Sequence, residues 1–573
     1  MDRPHQHYGA FQIKNTPSAA SPPKKRAAEE QPFLTFAKKM IENALSSVYI
    51  TATGANIMQD ITSSIYNFEK LRQAGYLYVD KTEYIWKLIN PSGESYFLSR
   101  PRRFGKSLTI STLKAVFEGK KELFKGLALY DKPYDWKEFP IIHLDWNGWA
   151  VDTVEDLLQS MKDMINSAAR KYDLQLSGEN PQMLFRELIE KLSQKEKVVL
   201  LIDEYDKPIL NNISKPWSKK VLEVLKGFYS VVKACESQER FVFITGVSKF
   251  CHVSLFSDLN NLTDITMDAR FAAMLGYTQE ELEDNFGSKI SALAGERDIV
   301  SFKEKIKQWY NGYRFEENAK TVYNPVSLAK FFENGGKFDN YWFSTGTPSF
   351  LMELAKRKEF DFESALKEAV PQVAFSAFEI DDIDPLTLLL QTGYITIKGT
   401  EERFDQTWYF LDFPNREVAG AFSTYILSSY AGKTQTAAAQ FTAEMATALL
   451  KKDLKRLRKV MEVFFAGIPY TAHKKNESTF QTIFFSIFRL LGLYVEAESA
   501  TNDGRIDAVV RTEDAVFIFE FKLDNDPTAL AQIKEKEYFK KYLLDRREIY
   551  IVGVNFDSEK GNLIGWEEEK LEK

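Results

Sequence analysis

The feature that most limits the fold of this chain is the run Val198-Val199-Leu200-Leu201-Ile202, five apolar residues without interruption, ending in Asp203-Glu204. A strand with one wet face alternates apolar and polar residues. An uninterrupted run is buried on both faces, which requires helices above and below it and therefore favours a parallel sheet. Similar shorter runs, at Tyr96–Leu98, Ile141–Leu144 and Phe241–Ile244, recur between amphipathic stretches from Ile65 onward. Strands alternating with helical patterns predict a doubly wound, parallel α/β domain. In such sheets ligands gather beyond the carboxyl ends of the strands, where the two acids stand.

The first run leads into Arg100-Pro101-Arg102-Arg103-Phe104-Gly105-Lys106-Ser107 and then the helical pattern Leu108–Phe117. Strand, tight turn and helix N-terminus together aim backbone N–H groups and the positive end of the helix dipole at a phosphate. On this reading Gly105 forms the turn, Lys106 reaches the β and γ phosphates of ATP, and Ser107 places its hydroxyl on Mg2+. A glycine is usual five positions before Gly105, where this chain has Arg100. A basic Gly-Lys-Ser turn also arises as an ordinary solvated helix start, and an acidic turn after a buried strand is common by itself. The order and spacing of the two motifs favour nucleotide: Asp203 holds Mg2+ through water and Glu204 polarises the attacking water. Beyond Phe241–Ile244, Ser248 either senses the γ-phosphate or caps the next segment.

From Glu477 the pattern changes to a helix at Phe480–Leu491, a hairpin of Arg505–Arg511 against Val516–Leu523, a helix at Ala529–Leu544 and a strand at Ile549–Val554. Side chains alternate along a strand, so Glu520 and Lys522 share one face while Phe517, Phe519 and Phe521 form the other. If Glu513 and Asp514 make the turn, Asp507 falls directly opposite Glu520, with Cα atoms within about 5.5 Å. Two carboxylates face to face repel unless a cation joins them. Mg2+, or Mn2+ in its place, is expected on Asp507, Glu520 and the Phe521 carbonyl. Lys522 orients or deprotonates the attacking water and stabilises charge on the scissile phosphate, which makes phosphodiester hydrolysis the reaction class. Glu477, on the helical stripe of Phe480, Phe484, Ile487 and Leu491, is either a further metal ligand or simply an acid suited to a helix N-terminus.

At 573 residues the chain exceeds what one core usually supports. The expected division is 1–60, a flexible tail with a short amphipathic helix at Phe33–Val48; 61–267, the nucleotide-binding domain; 268–460, mainly helical; and 461–573, the nuclease-like unit. Within the third part, Leu386–Leu390, Tyr394–Lys398, Trp408–Asp412 and Val418–Ser428 read as helix, strand, strand, helix, the order of a winged helix. A net charge of −6 argues against nonspecific coating of nucleic acid and leaves a local groove for DNA or RNA open. Two cysteines, Cys235 and Cys251, suit a reducing compartment, and five histidines leave no material for a His-rich zinc site. No membrane span and no secretory signal are read, so a cytoplasmic protein is expected. Pro22-Pro23-Lys24-Lys25-Arg26 reads as a nuclear address only in a eukaryotic or host-targeted protein, and otherwise as a solvated tail. The oligomeric state stays open.

Phe68-Glu69-Lys70-Leu71-Arg72, Tyr78-Val79-Asp80-Lys81-Thr82, the Arg100–Ser107 turn, Leu201-Ile202-Asp203-Glu204-Tyr205-Asp206, Tyr310-Asn311-Gly312-Tyr313 and Tyr341-Trp342-Phe343-Ser344-Thr345-Gly346 closely resemble the AAA-ATPase-like proteins that carry a C-terminal PD-(D/E)XK nuclease-superfamily domain. The resemblance runs from about Ile65 to the C-terminus. It implies a P-loop ATPase sheet, a helical and winged-helix-like middle region, and a restriction-endonuclease-like α/β domain. The first glycine of the phosphate loop is typically absent in that family, so Arg100 is no obstacle to ATP. Arg102 and Arg103 match the motif and are expected near phosphate without a fixed role. Gln532 matches a recurrent position in the helix after the nuclease strands, solvent exposure being the alternative. The implied function is ATP binding and hydrolysis coupled to a Mg2+-dependent nuclease. The competing readings are a signalling or scaffold ATPase whose nuclease-like domain binds nucleic acid or a partner without cleavage, and a nucleotide switch with negligible turnover.

Overall fold

Every apolar run expected as a strand in the first half of the chain is one. The computed structural model describes residues 59–91, 94–249, 261–343, 349–375, 383–468, 477–502, 505–523, 529–557 and 562–572. The expected helix at Phe33–Val48, the basic residues Lys24-Lys25-Arg26 and Cys251 lie outside the described residues. Strands β1 (Ser95–Ser99), β2 (Ile141–Asp145), β3 (Val198–Asp203), β4 (Glu239–Gly246) and β5 (Leu262–Asp264) form a parallel sheet in the order β2-β3-β4-β1-β5. All of β3 is buried, as its composition requires. Short β5 was not expected, because three residues give no period to read.

Helices α1 (Phe68–Gln73), α2 (Thr82–Ile89), α3 (Lys106–Phe117), α4 (Val154–Arg170), α5 (Pro181–Ser193) and α6 (Ser218–Ala234) accompany this sheet. Their starts are written locally. The Thr153 hydroxyl accepts the Asp156 N–H at α4, and the Asn180 side chain accepts the Met183 N–H at α5, where Pro181 occupies the first turn and needs no donor partner.

The middle region is mainly helical, as expected. Helices α7 (Gln279–Ala294), α8 (Ile299–Tyr310) and α9 (Pro325–Glu333) share a satellite core of Leu282, Phe286, Ile290, Ile306, Leu328 and Phe331. A reciprocal Thr278–Glu281 capping box starts α7. Then come β6 (Val370–Pro371), α10 (Pro385–Thr392), β7 (Thr396–Arg403), β8 (Gln406–Asp412) and α11 (Arg416–Ala431), with the three strands ordered β6-β8-β7. The helix, strand, strand, helix sequence is present, but β7 starts at Thr396 rather than Tyr394, because left-handed Gly393 and the Tyr394 N–H, bonded to the Leu389 carbonyl, close α10 first.

After α12 (Gln435–Leu450) and α13 (Leu454–Ala466), helix α14 (Glu477–Leu491) opens the last part. A five-stranded sheet follows, β13-β12-β11-β10-β9, from β9 (Glu496–Asn502), β10 (Arg505–Arg511), β11 (Ala515–Leu523), β12 (Glu548–Phe556) and β13 (Leu563–Leu571), with α15 (Ala529–Glu535) packed on β11 and β12. The helix expected over Ala529–Leu544 stops early: Glu537 turns left-handed at φ +51°, and Tyr538–Tyr542 continues as a 3-10 turn. Both edge strands were missed; β13 is mostly solvated and its Glu and Lys residues hide any apolar period.

One continuous cluster of buried apolar side chains runs from Phe68 to Phe556, so it crosses positions 267 and 460, the expected domain limits. No described helix is long and apolar enough to cross a membrane.

Candidate functional site

The turn between β1 and α3 is built on Gly105. Its φ of +97° is a left-handed conformation that glycine takes without steric cost, and nothing stands within 4 Å of where a side chain would be, so the backbone above the helix N-terminus is open. Lys106 is buried, and its Nζ donates to the carbonyls of Arg100 (2.9 Å) and Pro101 (3.0 Å). Burial lowers its pKa, opposed by Asp203, Glu204 and Asp206. Ser107 Oγ donates to Asp203 Oδ2 at 2.6 Å, which ties the tip of β3 to the turn after β1 across the intervening β4. Burial pushes the Asp203 carboxyl up to about 6, against the pull of the Ser107 hydroxyl and the Lys106 charge. The Glu204 N–H donates to Asp203 Oδ1 at 3.0 Å, and the Glu204 carboxylate lies 4.0 Å from Lys207 Nζ.

Two non-glycine residues here adopt left-handed backbones, Arg103 at φ +70° and Glu204 at φ +52°. Such conformations cost about 1 kcal/mol or more and persist where surrounding contacts impose them. Gly105, Lys106, Ser107, Asp203 and Glu204 thus meet at one carboxyl edge of the sheet, an arrangement suited to an anion and a divalent cation.

At the other end of the chain, the hairpin register pairs Asp507 with Glu520, and the Thr512 N–H bonded to the Ala515 carbonyl (2.8 Å) closes the turn over Glu513 and Asp514. The aromatic face of β11 packs on α14: Phe521 lies 4.2 Å from Phe484 between ring centroids, and Phe488 contacts both Phe519 and Phe521. On the opposite face Glu520 is fully buried, and one of its oxygens accepts from Gln532 Nε2. Its Oε2 has no partner among the described residues. A buried carboxylate with an unmatched oxygen is costly, and a bound cation removes that cost, so the donor set fits a divalent metal. Lys522, two residues on, is half-buried. The side chains of Asp507 and Glu477 lie outside the described residues; the backbone of Glu477 begins α14. Among the described residues no group of three or more His, Cys, Asp or Glu side chains converges to hold a metal.

Residues 62–256 match the family model described as "Predicted AAA-ATPase", and residues 475–566 match that of the PD-(D/E)XK nuclease superfamily. A protein of Azotobacter chroococcum mcd 1, described as "Uncharacterized protein in vnfD 5'region", is 36% identical over 521 residues, covering 88% of this chain and 98% of that protein. The chain belongs to the AAA-ATPase-like family whose members carry a C-terminal PD-(D/E)XK nuclease-superfamily domain.

In this AAA-ATPase-like chain, several further candidate residues have defined partners. Ser248 is fully buried, and its hydroxyl and N–H both donate to Asp206 Oδ2, at 2.7 and 2.8 Å. It pins the turn after β4 to the turn after β3. Gln532, for which exposure was the alternative, is 2% exposed and serves Glu520.

The Arg100–Phe104 stretch is gripped residue by residue by the middle region. Arg100, 1% exposed, donates to the Ser99 and Thr266 carbonyls and lies 4.2 Å above the Phe315 ring; burial lowers its pKa to about 9. Pro101 sits against Gly393, where a Cβ would come within 2.6 Å of the proline ring. The Arg102 side chain is exposed while its carbonyl accepts from the Trp342 indole at 3.4 Å. Arg103 Nη1 donates to the Tyr341 carbonyl at 2.6 Å, and Phe104 meets Tyr313 and Phe315 edge to face. The family resemblance placed the two arginines near phosphate without fixing their roles. The signal for the second role lay in the aromatic motifs Tyr310–Tyr313 and Tyr341–Phe343, which named no partner.

Proposed function

We propose that the Arg100–Ser107 turn binds ATP, that Asp203 and Glu204 support its hydrolysis, and that the C-terminal domain is a Mg2+-dependent phosphodiesterase acting on DNA or RNA. The observation that carries the first half is the Ser107–Asp203 hydrogen bond, which brings together a hydroxyl from the first turn of α3 and a carboxylate from the end of β3 beside a buried lysine. Ser107 and Asp203 would hold Mg2+ at the nucleotide, and Asp507 and Glu520 would hold Mg2+ or Mn2+ in the C-terminal domain; the metal supplies charge neutralisation at phosphate and a more acidic water. Lys106 carries three donors, two of them now spent on carbonyls, and presents a cation to phosphate at the helix N-terminus. Glu204, at the wet edge of the sheet, accepts a proton from the attacking water. In the C-terminal domain, Gln532 holds Glu520 in place and Lys522 orients water toward the phosphodiester. Burial of Glu520 with one oxygen left unmatched, opposite Asp507 in register, supports this second half.

The test incubates the full-length protein with DNA and with RNA, in Mg2+ or Mn2+, with and without ATP, beside Lys106→Ala and Asp507→Ala. Metal-dependent cleavage lost in Asp507→Ala is the expected result. Cleavage undiminished in that variant overturns the nuclease site, and ATP binding undiminished in Lys106→Ala overturns the nucleotide site.

A further inference from the structure

A cavity of about 130 Å3 lies directly beside the nucleotide turn, with Gly105 and the first turn of α3 forming one of its sides. Leu108 of α3 and Val326 and Ala329 of α9 give it apolar walls, and the Tyr78–Thr82 motif, to which the phosphate turn assigns no work, adds Tyr78 and Val79. An apolar cavity of about 150 Å3 accepts one aromatic ring. Whatever is tethered to phosphates at Gly105–Ser107 has this space within reach.

Another wall is a strap, residues 60–66, which contributes Ile61 and Ile65 while Asp60 and Ser64 are exposed to water. The strap is fixed at both ends. The Asp60 carbonyl accepts the Leu77 N–H at 2.8 Å, and just beyond the other end the Phe68 N–H donates to Ser111 Oγ at 2.9 Å. Between these anchors, among the described residues, the strap's hydrogen bonds to the rest of the protein go to one side chain: Ser63 donates its N–H to Glu333 Oε1 at 2.6 Å and its hydroxyl to Glu333 Oε2 at 2.7 Å. Glu333 is the last residue of α9, where the helix dipole disfavours an acid, so its charge needs another reason to be there. It stands four residues after Ala329 and seven after Val326, so one face of α9 carries both a wall of the cavity and the clasp on the strap.

We propose that the cavity receives the adenine of the bound nucleotide, and that the Ser63–Glu333 clasp is the latch that holds the strap over it and sets how fast nucleotide leaves. This deepens, and rests on, the ATP-binding reading of the Arg100–Ser107 turn. Phosphates bind without the latch, whereas the base is retained only while the strap is clasped. A ligand with phosphates and no base therefore ignores Glu333, while a general loosening of the fold weakens both kinds of ligand.

The experiment uses the full-length protein as wild type, Lys106→Ala, Ala329→Phe and Glu333→Ala. The ligands are MgADP, which carries the base and has no γ-phosphate to lose, and magnesium pyrophosphate, which has the phosphates alone. Calorimetry gives the affinities, and release of radiolabelled ADP into excess unlabelled ADP gives the exit rate. Wild type is expected to bind MgADP at least about ten-fold more tightly than magnesium pyrophosphate, well within what burial of a ring supplies. Ala329→Phe, which fills the cavity, removes that difference. Glu333→Ala speeds ADP release by about five-fold, the factor that one net hydrogen bond supplies, and leaves pyrophosphate affinity unchanged. Equal wild-type affinities for the two ligands, or an Ala329→Phe protein that still favours MgADP, overturn the base site. An exit rate unchanged in Glu333→Ala, or a pyrophosphate affinity that falls with it, overturns the latch. Should Ala329→Phe not fold, the wild-type comparison still decides the base site. Wild type that binds neither ligand better than Lys106→Ala removes the ATP reading and this inference together; wild type that binds both ligands equally well, with Lys106→Ala weakened, removes this inference alone.

Discussion

Gly393→Ala is the sharpest probe of the grip on the nucleotide turn. Gly393 has φ +85°, and a Cβ there would lie 2.6 Å from both the Cβ and Cγ of Pro101. Ordinary carbon contacts are about 3.5–4.0 Å, so the proline or the α10–β7 junction must retreat by about 1 Å. The left-handed backbone costs an alanine about 1 kcal/mol, and overpacking adds about 1–3 kcal/mol. The matched control is Gly75→Ala: φ is +73° there, and nothing stands within 4 Å, so the backbone cost arises without the contact. Urea unfolding should therefore show Gly393→Ala to be less stable than Gly75→Ala by about 1–3 kcal/mol. Because the Pro101 carbonyl also holds Lys106, a displaced proline should weaken MgATP binding by about ten-fold or more, within the range that 1 Å misplacements produce. Equal stability and equal MgATP affinity in the two variants would refute the claim that the middle region bears on the turn.

Phe484→Ala, which empties the α14 contact with Phe521, should lower stability by about 3–5 kcal/mol in the same unfolding assay. Gln532→Leu strips Glu520 of its buried donor and should cost about 1–3 kcal/mol in the presence of chelator, with the loss reduced by added Mn2+; a loss insensitive to metal would argue against a cation at Glu520. Burial, with Glu236 adding repulsion, pushes the Glu239 carboxyl up to about 8 from 4.5, so the folded protein holds a proton there that the unfolded chain releases above 4.5. That group's contribution to stability therefore falls as pH rises through this window, by up to about 1.4 kcal/mol per pH unit. His143, lowered by burial to about 4 from 6.5, acts with the opposite sign below 6.5, so the Glu239 effect is best read between pH 6.5 and 8, where Glu239→Gln should flatten the profile.

What could be read in the sequence was whatever repeats. The β3 run and the hairpin of β10 and β11 declare themselves by composition and by a period of two, and the turn length alone gives the Asp507–Glu520 register. Edge strands β9 and β13 carry too little apolar contrast to show a period, and the break at Glu537 has no Gly or Pro to announce it. The nucleotide-side motif was visible residue by residue, but its second set of partners was not. Glu417 follows Arg416 in a helix start and looks like any solvated first-turn acid. Its burial comes from Tyr341 and Trp342, some seventy-five positions away, and separation of that kind leaves no local trace.

Helix α14 carries a lesson about how such chains can be rearranged in evolution. Phe484 and Phe488 face the β11 sheet, whereas their neighbours Phe485 and Arg489 face Phe413 and Asp412 beside β8, and Arg416 of α11 donates to the Leu493 carbonyl just beyond the helix. A helix that is core to two neighbours belongs to neither by itself. Excising residues from Glu477 onward would remove α14 and leave the apolar surface of α11 that it covers wet, and grafting a foreign nuclease domain in its place would demand a helix already shaped to that surface. The two halves of this protein are therefore expected to be inherited as a unit, changing their loops and active-site residues while the seam between them stays closed.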